Sequence, residues 1–122
     1  MGSVICNESD VRVEYFAGAE GVAMNETVSS TSDWRLMHVR LHLSGASGVE
    51  DFVVQIDSAT AAVHDTVLLT TAMNGLSNVT FSPGDGSDGI WLKEDDEVDF
   101  TYPNATAQIS WGLEVIYRSV GS

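Results

Sequence analysis

Three observations predict an all-β chain folded as an antiparallel β-sandwich of jelly-roll topology. Apolar and polar residues alternate with a period of two, turn signals recur every 8–12 residues or so, and helical periodicity is nearly absent. An immunoglobulin-like sandwich is the alternative; it lacks the paired cysteines, which are dispensable outside antibody domains.

The elements follow in order. Val11, Val13 and Tyr15 alternate with Arg12 and Glu14 and predict a first strand. Val22, Met24 and Val28 predict a second, weaker one. The segment 34–43 is the clearest: Met37, Val39, Leu41 and Leu43 are expected on one face, and His38, Arg40 and His42 on the other. The Ser44–Gly48 loop ends it. Residues 52–56 predict a central strand, and the Val-, Leu- and Thr-rich segment from Val63 to Thr71 another. Met73-Asn74-Gly75 is a turn, with Leu76 to Phe81 as the strand beyond it. A long turn spans 82–89, Ile90 and Leu92 begin a short strand, and Glu94-Asp95-Asp96-Glu97 reverses it. Val98, Phe100 and Tyr102 alternate, Pro103-Asn104 turns the chain, and Ile109, Trp111, Leu113, Val115 and Tyr117 share one face of the last strand. Eight or nine strands in 122 residues make a single sandwich domain over 1–122. Both prolines fall in turns, where a missing N–H costs no ladder bond.

Composition narrows the function. Hydrophobic residues make up 43% of the chain, a globular share. No apolar run approaches the roughly 20 residues of a membrane helix, so no membrane is expected as a partner. The opening Met1–Cys6 has no basic region and no long apolar stretch, and is not expected to be a signal peptide. Cys6 is the only cysteine, which excludes an internal disulfide and a cysteine-rich zinc site; it is read as a small apolar residue. Eighteen acids face five bases, for a net charge of −13, and Lys93 is the only lysine. Such a surface repels nucleic acid. It suits a soluble acidic protein, a partner with a basic surface, or a high-salt habitat in which screening removes self-repulsion.

Catalytic constellations are missing from the sequence, and no enzyme activity or cofactor is expected. His38 and His42 would chelate together on a helix, but on a strand four residues span roughly 13 Å. His64 stands alone beside Asp65. There is no Gly-x-Ser-x-Gly, and Ser47 is read as part of a flexible turn. Asp85, Asp88, Asp95, Asp96 and Glu97 are weak candidates for a hard cation; the spacing is not that of an EF-hand loop, and solvated turns explain it as well. Four of the five asparagines, Asn7, Asn25, Asn78 and Asn104, match the N-glycosylation pattern. Arg35, His38, Arg40 and His42 are half of the eight residues that can carry positive charge, and they share one strand. They either compensate acids within the sheet or form a subunit contact. Trp111 reads as core from its apolar face-mates, whereas Trp91 reads as an outward interface aromatic.

The second half of the chain adds a resemblance. Residues Val53-Val54-Gln55-Ile56-Asp57-Ser58, His64-Asp65-Thr66-Val67-Leu68-Leu69, 89–98 and Ser110-Trp111-Gly112-Leu113-Glu114-Val115, taken in order, resemble small jelly-roll virion proteins of tailed bacteriophages and archaeal tailed viruses. The resemblance spans about residues 50–118 and departs at Glu94-Asp95-Asp96, where comparable turns often carry Gly-Asp. It implies a capsid decoration or cement protein on the exterior of the virion, bound to the major capsid protein or another virion protein as a homo-oligomer, most simply a trimer. An acidic, lysine-poor surface would suit a virus of a salt-loving host. Two other classes stay open: a receptor- or carbohydrate-binding tip, with Trp91 and Asp88 as its aromatic and acid, and a cupin-like enzyme, for which converging ligands are not found.

The charge makes a first prediction. The Debye length falls from about 10 Å at 0.1 M salt to about 3 Å at 1 M, while apolar burial is not weakened by most salts. The melting temperature and the oligomer fraction are expected to rise together between low and molar salt. A fall in both would point instead to an attractive electrostatic interface.

Overall fold

The computed structural model describes residues 11–83 and 89–119. Alternating apolar residues need two faces to pack between, and among the described residues nine strands supply them. They are β1 (Val11–Gly18), β2 (Met24–Ser29), β3 (Trp34–Leu43), β4 (Asp51–Asp57), β5 (Thr66–Ala72), β6 (Asn78–Phe81), β7 (Ile90–Leu92), β8 (Glu97–Tyr102) and β9 (Trp111–Ser119). One sheet has the order β1-β9-β3-β6, with β7 also pairing β3; the other has the order β2-β8-β4-β5. All these pairings are antiparallel.

The order follows from one long hairpin rolled up. Innermost β4 pairs β5, then β3 pairs β6 and β7, then β2 pairs β8, and outermost β1 pairs β9. Rolling this hairpin brings β9 beside β3 and β8 beside β4, which closes the two sheets. That is the double Greek key of a jelly roll, the topology the alternation predicts.

Between the sheets lie Trp34, Leu36, Val39, Leu41, Leu43, Trp111, Leu113, Val115 and Tyr117 from one side. Met24, Val28, Phe52, Val54, Val98, Phe100 and Tyr102 come from the other. Burying one large apolar side chain is worth about 1.5–3 kcal/mol. Among the described residues the Trp34 Nε1–H has no hydrogen-bond partner, and a buried donor left unpaired costs about 1–3 kcal/mol. Part of that is offset by Tyr117, whose ring meets the indole edge-on at 5.3 Å.

Glycine is required at Gly18 and Gly89, among other positions. Gly18 lies opposite Trp111 on the ladder, and any Cβ there would collide with the indole. Gly89 has φ +67, and a Cβ would strike the Leu36 carbonyl oxygen.

Several expectations are corrected. Met37 does not join Val39, Leu41 and Leu43 in the core: the β3–β9 register shifts between Leu36 and His38, so Met37 is an extra, half-buried residue. Val22 is exposed, and β2 begins at Met24. Residues 62–64 form a 3-10 turn, so β5 starts only at Thr66. The strand expected from Leu76 begins at Asn78.

Ser47 is not in a loose turn. It is buried and its hydroxyl lies 2.6 Å from the Tyr102 hydroxyl. Its N–H donates to the Leu76 carbonyl and its carbonyl accepts from Gly75 N–H. A buried phenol needs a partner, and Ser47 supplies it.

Side chains that replace missing ladder bonds hold the 103–110 loop. Buried Asn104 donates to the Val22 and Ile109 carbonyls and accepts from Ile109 N–H. The Trp111 indole N–H also donates to the Val22 carbonyl, at 2.8 Å. Of the asparagines in glycosylation patterns, Asn104 is therefore committed to the fold, while Asn7 lies outside the described residues.

Glu50 accepts from Ala105 N–H at 2.6 Å and from the Thr106 hydroxyl at 2.9 Å. Burial pushes its carboxyl up, but the hydrogen bonds from the Ala105 and Thr106 backbone, the Thr106 hydroxyl and Tyr102 outweigh this and hold it below the ordinary carboxylate value. A depressed folded-state pKa gives stability that is present above the unfolded value and lost as pH falls through the folded one. The melting-temperature difference between the wild type and Glu50→Gln is therefore expected to be largest at neutral pH and to shrink below about pH 4.5, the ordinary glutamate value. A difference that stays constant down to acid pH would show that the Glu50 charge contributes nothing.

Candidate functional site

Because β9 and β3 send alternate residues inward, the others line the outer face of the five-stranded sheet in four rows. They are Ala17–Gly112–His42–Asn78, Tyr15–Glu114–Arg40–Thr80, Val13–Ile116–His38 and Val11–Arg118–Arg35–Trp91. Of the eight residues that can be positive, five stand here: Arg35, His38, Arg40, His42 and Arg118. In these rows Glu114 is the only acid.

The outer face of the other sheet is the reverse. Its rows present Asp51, Asp57, Glu97 and Asp99, with no base among the described residues. A chain of net charge −13 is thus strongly sided, with five of the eight residues that can be positive gathered on one sheet face.

The expected stripe is held by neighbours in its own sheet. Arg40 lies 3.6 Å from Glu114; both groups are partly exposed, so the pair is worth about 0–1 kcal/mol. His38 bonds Ser82 at 2.8 Å, and His42 bonds the Asn78 amide oxygen at 2.9 Å. Arg35 stacks over the Trp91 ring at 5.2 Å. Since β3 is paired on both sides, only its outward side chains are available to a partner.

Trp91 faces outward as expected, 52% exposed, and Tyr15 is 72% exposed. Sequence reasoning left Tyr15 and Arg118 unassigned. Each is separated along the chain from β3, and only the β1-β9-β3 order brings them to one face.

A groove of about 350 Å³ crosses this face between Tyr15, Arg40, His42, Asn78, Gly112 and Glu114. Gly112 leaves its floor open, since no atom of the described residues lies within 4 Å of where a Cβ would be. An exposed ring beside fixed polar groups can bind a ligand with both apolar faces and hydroxyls.

The cation candidates are placed differently from the sequence expectation. Asp85 and Asp88 lie outside the described residues. Asp96 accepts from Lys93 N–H at 3.0 Å and Ala59 N–H at 2.9 Å, and Asp95 sits at φ 68 in the same turn. Glu97 instead converges with Asp57 and Asp99, their carboxylate oxygens lying within 4.8 Å of one another. Asp99 accepts from the Thr27 hydroxyl at 2.7 Å. Carboxylates this close repel one another, a source of the salt sensitivity expected above.

No protein-family model matches the sequence, and no curated protein matches it. Among solved structures, the chain is similar to chitosan-binding module 1 of a chitosanase/glucanase from Paenibacillus sp. IK-5. That match has a TM-score of 0.50 and 16% identity, and covers 84% of this chain and 74% of the module. A family 32 carbohydrate-binding module of NanJ from C. perfringens, solved with galactose, matches at TM-score 0.47 and 10% identity, over 90% of this chain and 96% of that one. A capsid chain of Helicobacter pylori bacteriophage KHP30 matches at TM-score 0.47 and 13% identity, over 88% and 93%. These likenesses concern the fold. Among the described residues no helix is long and apolar enough to cross a membrane.

The exposure of Trp91 makes a prediction. Trp91→Ala removes a half-exposed ring and its stacking on Arg35, at a cost of about 1 kcal/mol or less. The melting temperature should fall by no more than about 4 °C. Loss of the folded state would make Trp91 a core residue.

Proposed function

We propose that the chain is a virion structural protein that acts by binding, without catalysis: a decoration or cement protein of the outer head surface. The observation that carries the docking is the sidedness of charge. Three arginines, His38, His42 and the exposed Tyr15 and Trp91 share one sheet face of an otherwise acidic domain. Interfaces favour Trp, Tyr and Arg as anchors, and Arg35, His38, Arg40 and His42 complement an acidic surface.

The resemblance of the segments between 53 and 115 to jelly-roll virion proteins supports a virus head as the docked surface, with the major capsid protein as partner. Many weak copies on a symmetric shell sum to stable attachment. A homo-oligomer and a salt-loving host belong to the same reading.

Electron cryomicroscopy of virus particles carrying the chain is expected to show jelly-roll density on the outer shell, with the Arg35 and Trp91 face toward the capsid protein. Absence of the chain from purified particles by mass spectrometry would overturn the virion assignment.

The groove favours one second reading, a receptor- or carbohydrate-binding module, with Tyr15 as the platform. Glycan-array binding by the isolated protein that is lost in Tyr15→Ala would favour it over head docking.

A further inference from the structure

Strand β1 is an edge. Among the described residues it pairs with β9 on one side only. It is eight residues long, and residues 11–15 are exposed on both faces of the strand. Val11 is 41%, Val13 38% and Tyr15 72% exposed. A long edge flanked by apolar side chains offers a row of backbone donors and acceptors to another strand.

We propose that β1 pairs with β1 of a second copy of this chain, antiparallel about a two-fold axis through Val13. The join makes one continuous sheet from the five-stranded sheets of two copies.

Backbone geometry limits the possible registers, and among centres within Arg12–Glu14 charge selects this one. In an antiparallel ladder, directly opposed residues must both point their N–H and C=O toward the partner or both away from it. Two identical strands related by a two-fold axis can therefore centre only on a residue, never between two. Centring on Arg12 sets Arg12 against Arg12, and centring on Glu14 sets Glu14 against Glu14. Like charges directly opposed are destabilising.

Centring on Val13 sets Arg12 opposite Glu14 twice, Val11 opposite Tyr15 twice, and Val13 opposite its mate. The apolar set shares the outer face with Ile116 and the Arg118 row, while the charged set shares the inner edge. Val11-Arg12-Val13-Glu14-Tyr15 is thus complementary to itself read backwards, with apolar residues at alternate positions and opposite charges between them. Isologous pairing of this kind closes at two copies. The pairing stands independently of whether the outer face docks on a virus head.

The test uses the full chain. Sedimentation equilibrium is expected to show a dimer, with association weakened about tenfold or more by Arg12→Glu or by Glu14→Arg alone. Combining Arg12→Glu with Glu14→Arg restores it, because the opposed pairs are again of opposite sign. A monomer at all concentrations, or a double variant that stays dissociated, overturns the pairing. So does an oligomer indifferent to these charges.

Crosslinking reads the register directly and does not depend on those variants folding. Opposed Cα atoms in either kind of antiparallel pair lie about 4.5–5.5 Å apart, within the span of a disulfide. In a Cys6→Ser background, Val13→Cys should oxidise to a covalent dimer. Val11→Cys alone should not, whereas an equal mixture of the Val11→Cys and Tyr15→Cys proteins should. A Val13→Cys protein that remains monomeric, or a Val11→Cys protein that crosslinks as readily, overturns the proposed axis.

Discussion

Strand β3 buries Trp34, Leu36, Val39, Leu41 and Leu43, and a strand of strict period two could not bury all five. Trp34 and Leu36 are out of phase with the later three. The extra residue Met37 corrects the phase, because the register with β9 slips by one between Leu36 and His38. The same slip brings Arg35 onto the outer face with His38, Arg40 and His42. A single bulge thus builds both the longest wall of the core and the positive stripe, and the space Met37 needs is kept open by Gly89 packed against the Leu36 carbonyl.

Around that strand, the rolled hairpin separates charge as well as polarity. Once the apolar residues of both sheets turn inward, the outer faces take whatever alternates with them. In β3 and β9 the alternating residues are Arg and His with Gly112, Ile116 and one Glu; in β4 and β8 they are mainly Asp, Glu, Thr and Gln. Repulsion on the acidic face is spread over an exposed sheet, where water and salt screen it. The basic face keeps its groups in place through modest contacts with Glu114, Ser82, Asn78 and Trp91, none strong enough to commit them to the fold alone. A surface of that kind is suited to recognition.

The ends of the sandwich depend on polar side chains. Asn104, Glu50 and Ser47 each satisfy backbone or hydroxyl groups that no strand reaches, and Trp111 caps the same region through the Val22 carbonyl. None of the three polar residues stands out in the sequence. Asn104 matches a glycosylation pattern, Ser47 sits among small residues, and Glu50 is one of eighteen acids. Their roles arise only when loops distant along the chain meet.

The sequence by itself determined the strands, because side-chain alternation is a local consequence of backbone pleat and needs no partner to be read. It determined the jelly roll to the extent that spacing and turn residues allow a long hairpin to roll, and it marked Trp111 as inward and Trp91 as outward from their immediate neighbours. Tertiary structure decided the phase of β3, since Met37 and Val39 look alike until β9 fixes which residue lacks a partner. It decided that Glu97 meets Asp57 and Asp99 rather than Asp95 and Asp96, because the β4–β8 register sets residues about forty apart side by side. It also decided the docking face, joining Tyr15 and Arg118 to the β3 stripe: charges and rings from β1, β3, β7 and β9 become one surface only when strand order places them in common rows.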